Sequence, residues 1–227
     1  MKQTSLLYLI SIILVTVSCV QTPAPTYPKR INYFFNVNNV GDTLSAGQDS
    51  ISITEFKLLA EKFNLLVAGN ETKLQSQVDA LIMGYREANG SDDELVIATD
   101  LGYKDFTNFD GLELFIAPPT EGDNISDVDF FGDNTNYSTV FKGEYNGKNF
   151  TYRSTVAFQK DFQFDTVELT DTKNTIATRF LLDFKDIIID KSTGKILDPE
   201  NADNKSKIDS LIKNTMRLEA FATQRTY

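Results

Sequence analysis

Residues 137–158, YSTVFKGEYNGKNFTYRSTVAF, read as two strands joined by a tight turn. Asn146-Gly147 accepts the positive φ angles of a two-residue type I′ turn, so the flanking segments 137–145 and 148–158 form a hairpin of well-fixed register. Strand patterning extends outward from this point. Ile31, Tyr33, Phe35 and Val37 alternate with period two, as do Leu112, Leu114 and Ile116 ahead of Pro118-Pro119. Across 176–183, Ile176, Thr178, Phe180 and Leu182 share one face while Ala177, Arg179, Leu181 and Asp183 share the other. Ser192-Thr193-Gly194 is a second turn, joining Ile187-Ile188-Ile189 to Lys195-Ile196-Leu197. A helix is expected over 204–217, where Ile208, Leu211, Ile212 and Thr215 fall at helical spacing, with Asp203 or Asn204 as its N-cap. The pattern predicts an all-β fold, a two-sheet antiparallel β-sandwich with one short C-terminal helix.

The N-terminus carries an address. Residues 1–18 have the parts of a secretory signal: Lys2, an apolar run over 6–17, and a small residue, Ser18, before Cys19. The run is too short for a transmembrane helix, which needs about 20 apolar residues. Thr16-Val17-Ser18-Cys19 resembles the lipobox of bacterial lipoproteins, and the resemblance implies lipid attachment at Cys19, the single cysteine of the chain. A lone thiol in an oxidising compartment is a liability unless capped, and a thioether-linked lipid caps it. Residues 19–30 then form the lipidated cysteine and a Pro-rich tether, and 31–227 the β-sandwich domain. Val20 after the cysteine resembles an outer-membrane sorting signal. No acidic residue precedes Asp42, unlike surface-export tags, so the periplasmic face is favoured over the cell surface.

Charge limits the partners. The chain holds 22 basic and 32 acidic residues for a net charge of −10, and loss of Lys2 with the leader makes it −11. That excludes nucleic acid and charge-driven binding to anionic headgroups, which need clustered Lys and Arg. One domain is the simplest division of 31–227, with a two-lobed sandwich broken near 120–136 as the alternative.

Residues 136–152 (NYSTVFKGEYNGKNFTY), then Asp198-Pro199-Glu200-Asn201 followed by Ile208, Ile212 and Glu219-Ala220-Phe221, resemble a group of lipoproteins typical of Bacteroidetes. More distantly they resemble the methanobactin-partner-like copper-binding β-sandwiches. The resemblance bears on residues 52–66. There Phe56, Leu59, Phe63 and Leu66 lie on one helical face behind a Ser52-x-x-Glu55 capping box, yet Ile51 and Ile53 alternate straight into it. In the family the matching segment is a long strand, and strand is the reading adopted. The copper chemistry of the distant relatives would lean on His and Trp, and this chain has neither.

Absent histidine also removes Ser-His-Asp and Cys-His catalysis and most zinc sites. Ser192-Thr193-Gly194-Lys195 fits the S-x-x-K form of penicillin-binding enzymes, but it sits in a turn and lacks the partner motifs. Carboxylates remain. The loop 121–136, EGDNISDVDFFGDNTN, offers Asp127, Asp129 and Asp133 as hard oxygen donors for calcium, although the spacing is not that of an EF-hand. The alternative is a solvated loop whose Asp and Asn side chains cap its own turns. Phe130-Phe131 either faces outward as a contact point or folds under the loop as a plug. The resulting expectation is a non-enzymatic, lipid-anchored binding or assembly module at the outer membrane, without cofactor, for a glycan or protein partner. A carboxylate-dependent hydrolase of envelope glycans and a calcium-stabilised adhesin-like module are the alternatives.

Overall fold

The computed structural model describes residues 28–75, 80–86, 94–102 and 106–224. Cys19 and the leader lie outside them. Among the described residues the chain runs β1 (Lys29–Asn38), β2 (Leu44–Ala46), β3 (Asp49–Val67), β4 (Lys73–Gln75), β5 (Leu81–Arg86), β6 (Glu94–Gly102), β7 (Asn108–Ile116), β8 (Thr139–Tyr145), β9 (Lys148–Ser154), β10 (Phe158–Glu168), β11 (Thr175–Asp183), α1 (Phe184–Ile188), β12 (Ile189–Asp190), β13 (Lys195–Ile196), α2 (Ala202–Thr215) and β14 (Arg217–Thr223). A 3-10 turn, Val128–Phe130, interrupts the long β7–β8 connection. The first strand begins at Lys29, slightly before the domain boundary expected at residue 31.

Two sheets face each other across one apolar core, so the fold is an all-β sandwich. The first sheet has the order β14-β11-β1-β6, and the second runs β10-β7-β3-β8-β9, with β2, β4 and β5 also paired to β3. Pairing is antiparallel between neighbours of these sheets except for β1 and β11, which run parallel from Arg30↔Thr175 to Asn38↔Asp183. The hairpin forms as its turn residues require: Tyr145 pairs with Lys148, and Asn146 and Gly147 take φ values of 51° and 75°.

β3 is the strand on which the second sheet is built. It pairs with β8 through Ile51–Leu58 and with β7 through Ala60–Val67, while β5 lies along Glu55–Ala60. Register shifts between Ile53 and Glu55 and between Ala60 and Lys62 break its alternation twice. The core-facing residues are therefore Ile51 and Ile53, then Phe56, Leu58 and Ala60, then Phe63, Leu65 and Val67. Each bulge moves the buried set by one residue, and the spacing it leaves resembles a helical stripe. The strand reading of 52–66 holds. Glu55 does not cap a helix; with Lys57 and Leu59 it points away from the main core.

Aromatic rings tie the two layers together. Tyr33 of β1 stacks on Phe63 of β3 at 4.3 Å, and Phe35 meets Phe56 at 6.3 Å. Phe56 continues onto Phe141 at 5.6 Å, and Phe141 also meets Tyr152 at 4.4 Å and Phe184 at 5.7 Å. Burial holds the Tyr33 hydroxyl well above the usual tyrosine range, as expected for a ring enclosed in apolar surroundings.

The C-terminal helix starts earlier than its sequence spacing implies. Asn201, rather than Asp203 or Asn204, is the N-cap, accepting a bond from the Asp203 amide at 2.9 Å. Ile208 and Ile212 bury its inner face, and Asp209 accepts bonds from Tyr152 Oη at 2.7 Å and Ser154 Oγ at 2.8 Å, locking α2 to β9. Ile187 and Ile188 belong to α1, not to a strand, because Asp183 caps that turn and Phe184, Ile187 and Ile188 all reach the core from it. The Ser192-Thr193-Gly194 turn does join β12 to β13.

Phe141 packs on Phe56 of β3, on Phe150 and Tyr152 of β9 and on Phe184 of α1, so truncating it opens a cavity that no single neighbour can fill. Phe141→Ala is expected to lower stability by about 3–5 kcal/mol, read as a shifted urea midpoint with an unchanged m-value. A loss below about 1 kcal/mol would contradict this account of the core.

Candidate functional site

Lys57 is the residue around which the candidate site assembles. The first bulge in β3 turns it to the outer face of the second sheet, where its side chain is only 5 % exposed. A buried ammonium must be paired and hydrogen-bonded. Its Nζ lies 3.0 Å from Glu55 Oε1 on the same strand face, 2.8 Å from Asp127 Oδ2 and 2.7 Å from Asp129 Oδ2. Lys142 of β8 adds a second cation, 2.5 Å from Asp129 Oδ2 and 3.4 Å from Glu55 Oε2. Arg153 of β9 completes the ring at 3.8 Å from Asp129 Oδ1.

The two aspartates arrive from the far side. Asp127 caps the 3-10 turn by accepting from the Asp129 amide at 3.0 Å, which leaves its other oxygen for Lys57. Phe130, next in sequence, is fully buried against Leu59 and Val140 in a small second core that also gathers Ile82, Ile125 and Tyr137. The Tyr137 amide donates to Phe130 O at 2.8 Å, closing the loop at its other end. Phe130 is thus the plug and Phe131 the outward residue of the aromatic pair. Phe131 is 40 % exposed and Val128, on the same turn, 79 %.

The three calcium candidates, Asp127, Asp129 and Asp133, all fall in this loop. Asp127 and Asp129 converge, as calcium ligands would, but the cation they share is the Lys57 ammonium group, and Lys142 donates a further bond to Asp129. Asp133 lies exposed beyond the turn. Among the described residues no group of three or more His, Cys, Asp or Glu side chains is placed to hold a metal ion. Cys19, the expected lipid site, lies outside the described residues. Ser192 of the S-x-x-K string donates to Asp190 Oδ1 at 2.7 Å, and Asp190 is paired to Lys207 at 2.6 Å. These bonds, led by the one from Lys207, hold the Asp190 carboxyl well below the carboxylate range and leave it a poor base.

Electrostatics follow from the geometry. Burial pushes the Asp129 carboxyl up, but the bonds from Lys142 and Lys57 outweigh it and leave the group below its ordinary value. Asp127 behaves alike, with burial opposed by Lys57 and the Asp129 amide. Burial pulls Lys57 down, and the bonds from Asp127, Asp129 and Glu55 reverse that and raise it. Asp127, Asp129 and Lys57 thus keep their charges over a wide range, the opposite of the displaced carboxyl pair that general acid catalysis requires.

Two other hollows lie on this side of the molecule. One, about 420 Å³, opens between Ser52, Thr54, Lys142 and Thr151; the other, about 410 Å³, lies between Tyr137, Arg153 and the start of α2 at Asn201 and Lys205. Both are shallow. Arg153 stands over the Tyr137 ring at 5.6 Å, so the second hollow shares a wall with the ion network.

Removing the central cation leaves three carboxylates facing one another. Lys57→Met is expected to cost about 3–5 kcal/mol at pH 7 by chemical denaturation. The aspartates, lowered in the fold, contribute fully above about pH 4 and lose that contribution as pH falls through their folded values; Lys57, raised, contributes fully below about pH 10.4 and is lost above it. Thermal melts should show a plateau between these limits and an acid limb. Asp129→Asn should lower the melting temperature at pH 7 and make the acid limb shallower, and a limb of unchanged steepness would contradict the assignment.

No family model matches the chain, and no curated protein does. Among solved structures, MbnP from Methylosinus trichosporium is similar to it, with a TM-score of 0.41 and 12% sequence identity over 72% of this chain and 78% of that one.

Proposed function

We propose that the chain is a lipid-anchored, non-enzymatic binding module of the bacterial envelope, related to the lipoproteins typical of Bacteroidetes, that docks a protein partner through the turn at residues 127–131. Cys19 carries the lipid, the Pro-rich segment after it spaces the domain from the outer membrane, and the periplasmic face is the favoured side. The observation that carries the reading is the presentation of Val128 and Phe131. Two large apolar side chains stand out from a turn whose neighbours, Asp127, Asp129 and Phe130, are all buried or ion-paired. A contact point fixed in this way has already lost its conformational freedom before a partner arrives, which favours association. The lysine-paired carboxylates support a binding role over hydrolysis, since Asp127, Asp129 and Glu113 are each held by a lysine and lie below the ordinary range.

Two experiments test the parts separately. Labelled palmitate should be incorporated by cells making the natural chain and not by cells making Cys19→Ala; label on the variant would overturn the anchor. In cross-linking from intact envelopes, the natural chain should trap a discrete partner that Val128→Ser/Phe131→Ser loses at unchanged melting temperature, while Asp133→Asn keeps it. Equal trapping by all three chains would overturn the docking turn.

A further inference from the structure

β9 ends the second sheet, with β8 as its neighbour, and its outer edge is unprotected. The hairpin register decides which backbone groups that edge shows. The two-residue turn makes Tyr145 and Lys148 a hydrogen-bonded pair, so Phe150, Tyr152 and Ser154 likewise direct their N–H and C=O groups to β8. Asn149, Thr151 and Arg153, between them, point theirs away from the sheet, and among the described residues these groups bond to no other segment. Edge strands are ordinarily blunted by a bulge, a proline or an inward charge. β10 shows two of these devices, a register shift between Gln163 and Val167 and Lys160 on the face of Phe158 and Phe162, and it also lies against β14. β9 has none of them. It pairs with β8 residue for residue from Lys148 to Ser154, contains no proline, and buries Phe150, Tyr152 and Ser154 on its inner face.

The space beside the edge is the hollow of about 410 Å³, with Thr151, Tyr152 and Arg153 on one side and residues 199–202 and Lys205 on the other. The backbone groups select what fills it. They come as donor and acceptor together at every second residue, a repeat of roughly 6.8 Å along the strand. An extended polypeptide carries the same repeat and answers all three residues at once. A sugar, an acyl chain or an inorganic ion has no such repeat. Charge narrows the choice further. The ionisable lining of the hollow is Arg153 and Lys205 against Glu200, an excess of cation on a chain of net charge −10. A segment with a carboxylate opposite Arg153 complements it. A second copy of β9 does not, since that strand carries Lys148 and Arg153 and no acid.

We propose that the β9 edge binds an extended, acidic segment of a protein partner as an added strand, its backbone bonded to Asn149, Thr151 and Arg153. The added strand runs antiparallel to β9, the pairing that is stronger per residue. Its alternate side chains then face the start of α2 on one side and Arg153 on the other. Arg153 Nε donates to the Asp129 carbonyl at 3.4 Å, so the edge adjoins the docking turn. It requires neither Val128 nor Phe131, and is a contact beyond the one they make.

The test titrates the full mature chain against the fluorescein-labelled peptide Ser-Glu-Val-Thr-Val-Thr-Gln, amidated at its end, and reads anisotropy. Laid antiparallel on β9, its glutamate meets Arg153 and its first threonine meets Thr151. Saturable binding with a Kd below about 1 mM is expected. Methylating the amide nitrogen of the first threonine removes the N–H aimed at Thr151 and should abolish binding, whereas methylating that of the second valine, aimed away from β9, should leave it intact. Replacing the glutamate by glutamine should weaken binding. Thr151→Pro should weaken it at least about tenfold through the lost bond. The Thr151 N–H faces outward at an edge, where proline is tolerated, so the melting temperature of this variant should stay close to that of the natural chain. If it falls, the two methylated peptides on the natural chain decide the question without any variant. No saturable binding, equal loss from both methylations, or an affinity that a folded Thr151→Pro leaves unchanged would overturn the strand site. Val128→Ser/Phe131→Ser should bind the peptide as the natural chain does, so the strand site and the docking turn fail separately.

Discussion

The phase of β3 is the constraint on which the rest of the molecule depends. A strand covering Asp49–Val67 passes under several partners, and an unbroken alternation in phase with Ile51 and Ile53 would carry Glu55, Lys57 and Glu61 to the core side. The two register shifts divide it into three stretches with different inward residues. Between the shifts, Phe56 and Leu58 reach the aromatic core, and Glu55, Lys57 and Leu59 are forced to the opposite face. That face cannot be left to water, because Leu59 is apolar and fully buried there. The long β7–β8 connection covers it, and in doing so it removes Lys57 from solvent.

Once Lys57 is buried, the covering loop has little choice of sequence. It must bring apolar bulk for Leu59 and Val140, which Phe130 supplies, and it must bring anions for the ammonium group, which Asp127 and Asp129 supply. The two contributions differ in kind. Burying a phenyl ring is worth roughly 1.5–3 kcal/mol of apolar transfer and is indifferent to small displacements. A buried ion network contributes little net stability, because desolvation offsets its attraction, yet breaking it from one side is costly. Its effect is on position. Phe130 keeps the loop down, while the Lys57 and Lys142 bonds fix where along the sheet the turn sits, and hence where Val128 and Phe131 emerge.

The parts of this structure that were legible in the sequence are those whose cause is local. Asn146-Gly147 forms its turn because of its own backbone preferences, and Ile208 with Ile212 marks α2 by spacing alone. The inner faces of β1 and β11 were equally plain, but their parallel pairing was not, since alternation is the same in either direction. Residues 52–66 were ambiguous for a physical reason: a strand with two phase shifts mimics helical spacing. The same shifts hid the ion network. Asp127 and Asp129 were recognisable as oxygen donors gathered for a cation, but that the cation is Lys57 depends on which face of β3 it occupies, and the first bulge decides that.

The two outward sheet faces resolve the same problem differently. On the second sheet a buried polar group, Lys57, is answered by the chain's own loop. On the first sheet the register leaves Ala177 and Ala98 beside Asn32, and its buried oxygen has no partner among the described residues. Thr139 is a second case of the same kind. Its hydroxyl also lacks a partner, and it is enclosed at zero exposure on the core side of β8, where nothing from solvent reaches it. An enclosed orphan is a local cost of packing. The Asn32 oxygen belongs to the same class: it has no solvent-exposed surface, so its missing bond is likewise a cost of packing that no group outside relieves.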